Sequence, residues 1–250
     1  YPTLKDLPII IGESDPEGCA ACSEDDYPEN AYRNGTMYSS YTAASFARKY
    51  DLARAYGVNL KGAVTWGFEF EDQAWYAGFR DMATNGVDKP VLNVFRMFGM
   101  MHDTQVAVSG DLEYDYKKVR SKSVRENPDV NALASVGEDG ASVMVFNYHD
   151  RDDLEVAASP VTINLKNIPA QKVLVNQYRV DQEFSNSYSL YKEMGSPENP
   201  TPEQIKALEQ AGQLQLFTSP VWMNVTDGNL ELSLDLPRQG VALFKLEFEE

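Results

Sequence analysis

Glu13 follows an unbroken apolar run, Leu7-Pro8-Ile9-Ile10-Ile11, with only Gly12 between them. Trp66 ends a second segment of the same kind, Leu60-Lys61-Gly62-Ala63-Val64-Thr65-Trp66. As neighbouring strands of one parallel sheet, these segments deliver an acid and a ring to the same rim, where barrel enzymes keep their chemistry. A carboxylate there can donate a proton, or attack or stabilise an oxocarbenium-like centre, as glycoside hydrolysis requires. A ring can stack on the apolar face of a sugar. The stretch from Gly67 to Phe79 interleaves Glu69, Glu71 and Asp72 with Phe68, Phe70, Trp75 and Tyr76. That mixture suits sugar hydroxyls and sugar faces, and equally a surface loop with a small aromatic cluster.

Other chemistry-bearing residues read as structural. Cys19 and Cys22 form a C-x-x-C pair flanked by Asp15-Pro16-Glu17-Gly18, an acidic turn and not a thioredoxin-like unit. A local disulfide, or two free thiols shaping a loop, fits them better than a zinc site, for which His102 and His149 are remote in sequence. His149 and Asp181 lie far from Glu13 and read as a satisfied histidine and a turn aspartate. The pairs Asp25-Asp26 and Asp152-Asp153 lack calcium-loop spacing. Neither a metal nor a cofactor is expected.

The elements that must position Glu13 and Trp66 alternate in type. Residues 7–11 form a short β-branched run of the kind found in fully buried parallel strands. Residues 14–35, rich in Asp, Glu, Pro, Asn and Gly, predict a long loop. A helix is predicted over 36–56, with Ala43, Phe46, Tyr50 and Ala53 on one face, Thr36 or Asn34 as cap and Gly57 past its end. A strand over 60–66, a polar aromatic loop and a helix opening at Pro90 follow. Two parallel strands cannot make a stable sheet alone.

After Met101 the pattern changes to antiparallel strands at 132–136, 142–148, 161–165, 172–180, 221–225, 230–236 and 241–248. Glu138-Asp139-Gly140 and Asp227-Gly228 mark hairpins. One helix interrupts them, opened by the capping box Thr201-Pro202-Glu203-Gln204 and ended by Gly212. The expected fold is therefore α/β plus all-β: residues 1–102 as the last two strand–helix units of a (β/α)8 TIM barrel, and residues 103–250 as an antiparallel β-sandwich accessory domain.

Composition narrows the function. The 250 residues carry a formal charge of −16, which disfavours nucleic-acid and anionic membrane partners. No apolar run approaches the roughly 18 residues of a membrane span. Aromatics reach 11%. The chain opens Tyr1-Pro2-Thr3-Leu4, without Met or a signal pattern, as if cut from something longer.

Several segments resemble glycoside hydrolase family 39, the β-xylosidase and α-L-iduronidase family. They are Pro8-Ile9-Ile10-Ile11-Gly12-Glu13-Ser14, Ala63-Val64-Thr65-Trp66, and Asp88-Lys89-Pro90-Val91-Leu92-Asn93-Val94-Phe95-Arg96-Met97-Phe98. The later part resembles the bacterial β-xylosidase branch in Phe146-Asn147-Tyr148-His149-Asp150, in residues 178–186, in Met194-Gly195-Ser196-Pro197 and in Leu236-Pro237-Arg238-Gln239-Gly240-Val241. The resemblance implies retaining double displacement that releases xylose from β-xylosides. It implies Glu13 as nucleophile at the end of barrel strand seven and Trp66, after strand eight, beside the sugar. By the same resemblance Glu69 or Glu71 would bind sugar hydroxyls; Phe70, from the aromatic loop, is a further candidate to bind the substrate, a xylo-oligosaccharide or other small glycoside. The family's acid/base Glu lies in an Asn-Glu-Pro motif, and no Asn-Glu-Pro occurs here. This chain is then expected to supply half of a site and to need a missing N-terminal barrel segment as its partner for activity. A secreted or periplasmic location is favoured. The competing expectation is a non-catalytic carbohydrate-binding or structural β-sandwich fragment.

Overall fold

The structure is a computed structural model that describes residues 4, 6–67, 69–70, 72–111 and 114–249. Its first part runs β1 (Ile9–Ile11), a 3-10 helix (Pro28–Asn34), α1 (Thr36–Tyr56), β2 (Leu60–Ala63), the small hairpin β3 (Ala83–Thr84) and β4 (Val87–Asp88), then α2 (Pro90–Met100). β1 and β2 pair in parallel, Ile9 opposite Leu60 and Ile11 opposite Ala63.

Local signals account for most of these boundaries. Gly57 stops α1 in the left-handed conformation, φ 62°, and its amide returns to Ala53 O and Arg54 O. Pro90 opens α2 at its first turn. The start of α1 corrects the capping expectation, because Gly35 stands at the N-cap and no side chain caps the helix. Asn34 is used elsewhere, donating to Tyr76 O at 2.6 Å and to Glu24 at 3.0 Å. The stretch expected to be loop through Gly35 ends instead in the 3-10 helix, which runs directly into α1. The hairpin turns on Asn85-Gly86, within the stretch expected to be a polar aromatic loop.

The expectation of a fully buried first strand is also corrected. Ile9 and Ile10 are 46% and 67% exposed. Two strands cover only each other's inner edges, so the apolar faces of β1 stay open to solvent. No closed barrel forms among the described residues; the barrel grammar is represented by two strand–helix units.

The second part runs β5 (Thr104–Val106), α3 (Tyr116–Lys122), β6 (Asp129–Val136), β7 (Gly140–Tyr148), β8 (Ser159–Leu165), β9 (Lys172–Val180), α4 (Ser187–Glu193), α5 (Pro202–Gly212), β10 (Gln215–Leu216), β11 (Val221–Asn224), β12 (Leu230–Leu236) and β13 (Val241–Phe248). Among the described residues three helices therefore interrupt the strands, not the one expected. Asp115 caps α3 and Asn186 caps α4 through their side chains, and both are short enough to lack a full periodic signature.

The strands form a seven-stranded antiparallel sheet, ordered β10-β9-β13-β7-β6-β5 with β11 also on β9, and a two-stranded sheet β12-β8. The large sheet is buried on both faces. Met144, Phe146, Val241 and Leu243 face a core shared with Ala43, Ala44 and Ala47 of α1 and Val94 and Met97 of α2. Val143, Val145, Ala242, Phe244 and Leu246 face the other way, onto Leu230, Leu232, Leu234 and Leu236 of β12. That is why β7 and β13 read as continuous apolar runs while β12, one face wet, alternates strictly. The first core crosses the expected 102/103 boundary, so the helix pair and the large sheet pack as adjoining layers.

A third cluster pins the loop that follows Trp66. Tyr76 and Val87 pack with Tyr191 of α4 and Leu208 of α5. Ser187 donates to Asp88 O at 2.5 Å, and Asn93 donates to Ser185 O at 3.1 Å and Gly212 O at 2.7 Å.

Candidate active site

Glu13 lies two residues beyond β1. The parallel ladder continues past both strands: Val64 N donates to Ile11 O at 3.0 Å and Ser14 N to Val64 O at 2.7 Å. Asp15 then bridges the two strand ends, its Oδ1 accepting from the Thr65 hydroxyl and from Trp66 N at 3.3 Å. The acid and the ring thus leave neighbouring strand ends at a register set by one buried aspartate.

Arg80 closes this arrangement from the opposite side. Its side chain has no exposed surface, and its Nη2 lies 2.5 Å from Glu13 Oε1 and 3.2 Å from Asp15 Oδ2. Nη1 donates to Glu17 O. The Glu13 side chain is 54% exposed on its other side. Arg33, equally buried, donates to Cys19 O at 3.0 Å, Cys22 O at 3.2 Å and Gly78 O at 3.2 Å, and pairs with Glu17. Cys19 and Cys22 are joined by a disulfide. The loop from Glu13 to Glu24 is therefore organised around two guanidinium groups.

The rings form a short stack. Trp66 and Phe70 lie parallel within 10°, centroids 6.2 Å apart, and Phe70 tilts onto Phe79 at 4.9 Å. Glu69 turns away from them at one oxygen, its Oε1 accepting from Gly86 N at 2.6 Å and so holding the hairpin turn. Glu71 lies outside the described residues. Beneath the strand ends, burial pushes the Tyr38 phenol up to about 12, against a lowering hydrogen bond from Thr65. Tyr32 donates to Glu17 at 2.5 Å, and its phenol is also raised, first by burial and then by that carboxylate.

Arg80, Asp15 and Arg33 were not among the candidate site residues. Arg80 carried a usable signal: it is the single cation between Gly62 and Asp88, among four acids. His149 and Asp181 sit away from this cluster. His149 Nδ1 accepts from Arg151 N at 3.0 Å, its backbone carbonyl accepts from Gln239, and burial lowers its pKa. Asp181 caps its own turn, accepting from Glu183 N at 2.9 Å and Phe184 N at 3.0 Å. Among the described residues no group of three or more His, Cys, Asp or Glu is arranged to hold a metal, and no helix is long and apolar enough to cross a membrane. A cavity of about 290 Å³ between α1, α2, β2 and β6 is lined by Phe46, Tyr50, Phe95 and Phe98 and does not include Glu13.

An acid and a ring at paired strand ends, backed by antiparallel sheets, are what a glycoside hydrolase would need at its sugar-binding rim. The family model described as "Glycosyl hydrolases family 39" matches residues 1–226. The chain belongs to that family. Among solved structures it is similar to a bacterial orthologue of human α-L-iduronidase (TM-score 0.80, 15% identity, 100% of this chain and 43% of that one). It is also similar to a monomeric β-xylosidase from Caulobacter crescentus CB15 (0.71, 16%, 98% and 46%). A third is a family 39 enzyme from Xanthomonas axonopodis pv. citri (0.69, 16%, 89% and 42%). At such identity the likeness is one of fold. The chain spans less than half the length of each of these three proteins.

Proposed function

We propose that Glu13 is the nucleophile of a retaining glycosidase that releases xylose from β-xylosides by double displacement, and that this chain supplies the nucleophile half of the site. The observation that carries this reading is the Glu13 carboxylate at the end of β1, anchored by buried Arg80 and linked through Asp15 to the backbone of Trp66. Anchoring one oxygen fixes the direction in which the other attacks the anomeric carbon. A second carboxyl, about 5–5.5 Å away, protonates the leaving oxygen and then activates the water that hydrolyses the glycosyl-enzyme. In this reading Trp66 and Phe70 offer ring faces to the sugar, and Glu69 or Glu71 takes hydroxyls, Glu69 with the oxygen not committed to Gly86.

The acid/base residue and most sugar contacts belong, on this proposal, to an N-terminal barrel segment, without which the chain is inactive. The exposed Ile9, Ile10 and Val64 and the aromatic groove between α1 and α2 support such a partner. The Cys19–Cys22 disulfide favours an oxidising compartment, secreted or periplasmic. A charge of −16 argues against nucleic acid as a partner.

The test is trapping with a 2-fluoro-β-xyloside in a protein that carries this chain together with its barrel segment. Peptide mapping is expected to find the sugar on Glu13, and Glu13→Gln to abolish trapping. An adduct on any other residue overturns the assignment. Faster turnover of an aryl α-iduronide than of an aryl β-xyloside overturns the sugar specificity alone.

A further inference from the structure

We propose that the Cys19–Cys22 disulfide is a positioning bridge for the Glu13 carboxylate, acting through Arg33 and Arg80, so that the site reaches full turnover only in its oxidised form. The proposal deepens the assignment of Glu13 as nucleophile and rests on it.

The segment from Gly12 to Tyr27 has no regular secondary structure, yet it must hold Glu13 still. Its backbone is held by carbonyls within the four-residue ring that the disulfide closes. Cys19 O and Cys22 O accept from Arg33, Cys22 O also accepts from Asn30 at 3.0 Å, and Ala20 O accepts from Arg80 N at 3.0 Å. Three of the four carbonyls of residues 19–22 are therefore engaged by Arg33, Asn30 and Arg80. In an open chain neighbouring carbonyls turn independently, and the ring removes that freedom.

Arg80 connects this ring to the chemistry. Its backbone amide is held by Ala20 inside the ring, one guanidinium nitrogen by Glu17 O two residues before Cys19, and the other by Glu13 and Asp15. Releasing the ring loosens Arg80 at both ends, and Glu13 loses the partner that fixes its Oε1.

The bridge is within reach of a reductant. Cys19 is exposed and Cys22 half-buried. A dithiol thiolate attacks one sulfur, breaking the protein S–S bond and forming a mixed disulfide. The second dithiol sulfur then closes on the first. Two electrons and two protons end on Cys19 and Cys22 as thiols, and the dithiol leaves as a cyclic disulfide.

The experiment uses the protein carrying this chain and its barrel segment, oxidised, reduced with dithiothreitol, reoxidised, and as Cys19→Ser/Cys22→Ser. On an aryl β-xyloside, reduction is expected to lower kcat on the order of 10- to 100-fold, the scale of a small misplacement of a reacting group. KM should move by less than about twofold, because sugar contacts are untouched. Reoxidation should restore kcat, and the double variant should match the reduced enzyme. In parallel, hydrogen exchange of the peptides covering Ser14 and Arg80 should speed up at least about tenfold while β7 and β13 stay unchanged. An unchanged kcat, or a loss that tracks KM, overturns the proposal even if the melting temperature falls. If the oxidised enzyme turns over no glycoside or is trapped elsewhere, the nucleophile assignment fails. The exchange at Ser14 and Arg80 then still decides whether the bridge holds this loop, and exchange that reduction leaves unchanged overturns it.

Discussion

Arg80 and Glu13 meet at 2.5 Å, an entirely buried guanidinium against a half-exposed carboxylate 67 residues earlier in the chain. The asymmetry has a consequence for stability. Arg80 is desolvated whether or not Glu13 is present, and it also neutralises Asp15, whose side chain is only 3% exposed. The guanidinium is therefore the hub and Glu13 its solvent-facing spoke.

Replacing Arg80 should cost more than replacing Glu13. Arg80→Met leaves Asp15 buried without its cation, a change that costs about 3–5 kcal/mol. Arg80→Lys keeps the charge but cannot reach Glu13, Asp15 and Glu17 O at once, and should recover only part of that loss. Urea midpoints of both variants beside Glu13→Gln check this. Equal midpoints for Arg80→Met and Glu13→Gln would contradict the hub assignment.

Alkaline pH should destabilise the fold through its tyrosines. Burial raises the phenols of Tyr32, Tyr38, Tyr76 and Tyr148, that of Tyr38 to about 12. The unfolded chain loses these protons near pH 10 while the folded one keeps them. Their contribution is thus fully present below pH 10 and is lost as pH rises toward the folded values. Tyrosinate absorbance should show part of the 14 tyrosines ionising only together with unfolding. Uniform titration near pH 10 with the fold intact would count against it.

Gly78 should not accept a side chain. Its φ is +77°, and a Cβ there would lie 2.8 Å from Glu24 Cβ and 2.9 Å from Glu24 N. The clash would push the disulfide-bearing loop away from the loop after Trp66 and disturb the hydrogen bond that Gly78 O accepts from Arg33. Gly78→Ala should cost about 1–3 kcal/mol, combining backbone strain and overpacking. Thermal melts check this, with Gly67→Ala as a control, since a Cβ at Gly67 meets nothing within 4 Å among the described residues.

The two ends of the energetic range should separate cleanly in the second part. Thr201 accepts from Gln204 N and Gln204 reaches back to Thr201 N, so Thr201→Ala removes one cap at about 1 kcal/mol. Leu243, with no exposed surface in the core between α1, α2 and the large sheet, should cost about 2–5 kcal/mol as alanine. Denaturant curves that rank them in reverse would show the α5 end to be more tightly coupled than its packing indicates.

Much of this protein is legible in order of sequence. The bounds of α1, β9, β12 and β13, the capping box of α5 and the stop at Gly57 follow from periodicity and caps, which act over a few residues. So does the placement of Glu13 and Trp66 just after two apolar strands. The short elements α3, α4 and β5 were not legible, because three to seven residues cannot display a period.

What only the tertiary structure decided is which groups meet across long separations. Arg80 finds Glu13 and Asp15, Arg33 finds the carbonyls of the disulfide ring, and Glu69 turns to Gly86. The open faces of Ile9 and Ile10 likewise depend on which neighbours are present to cover them. Backbone propensity and hydrophobic patterning are local and leave a mark in the sequence. A buried charge takes its partner from whichever loops the packed core brings beside it.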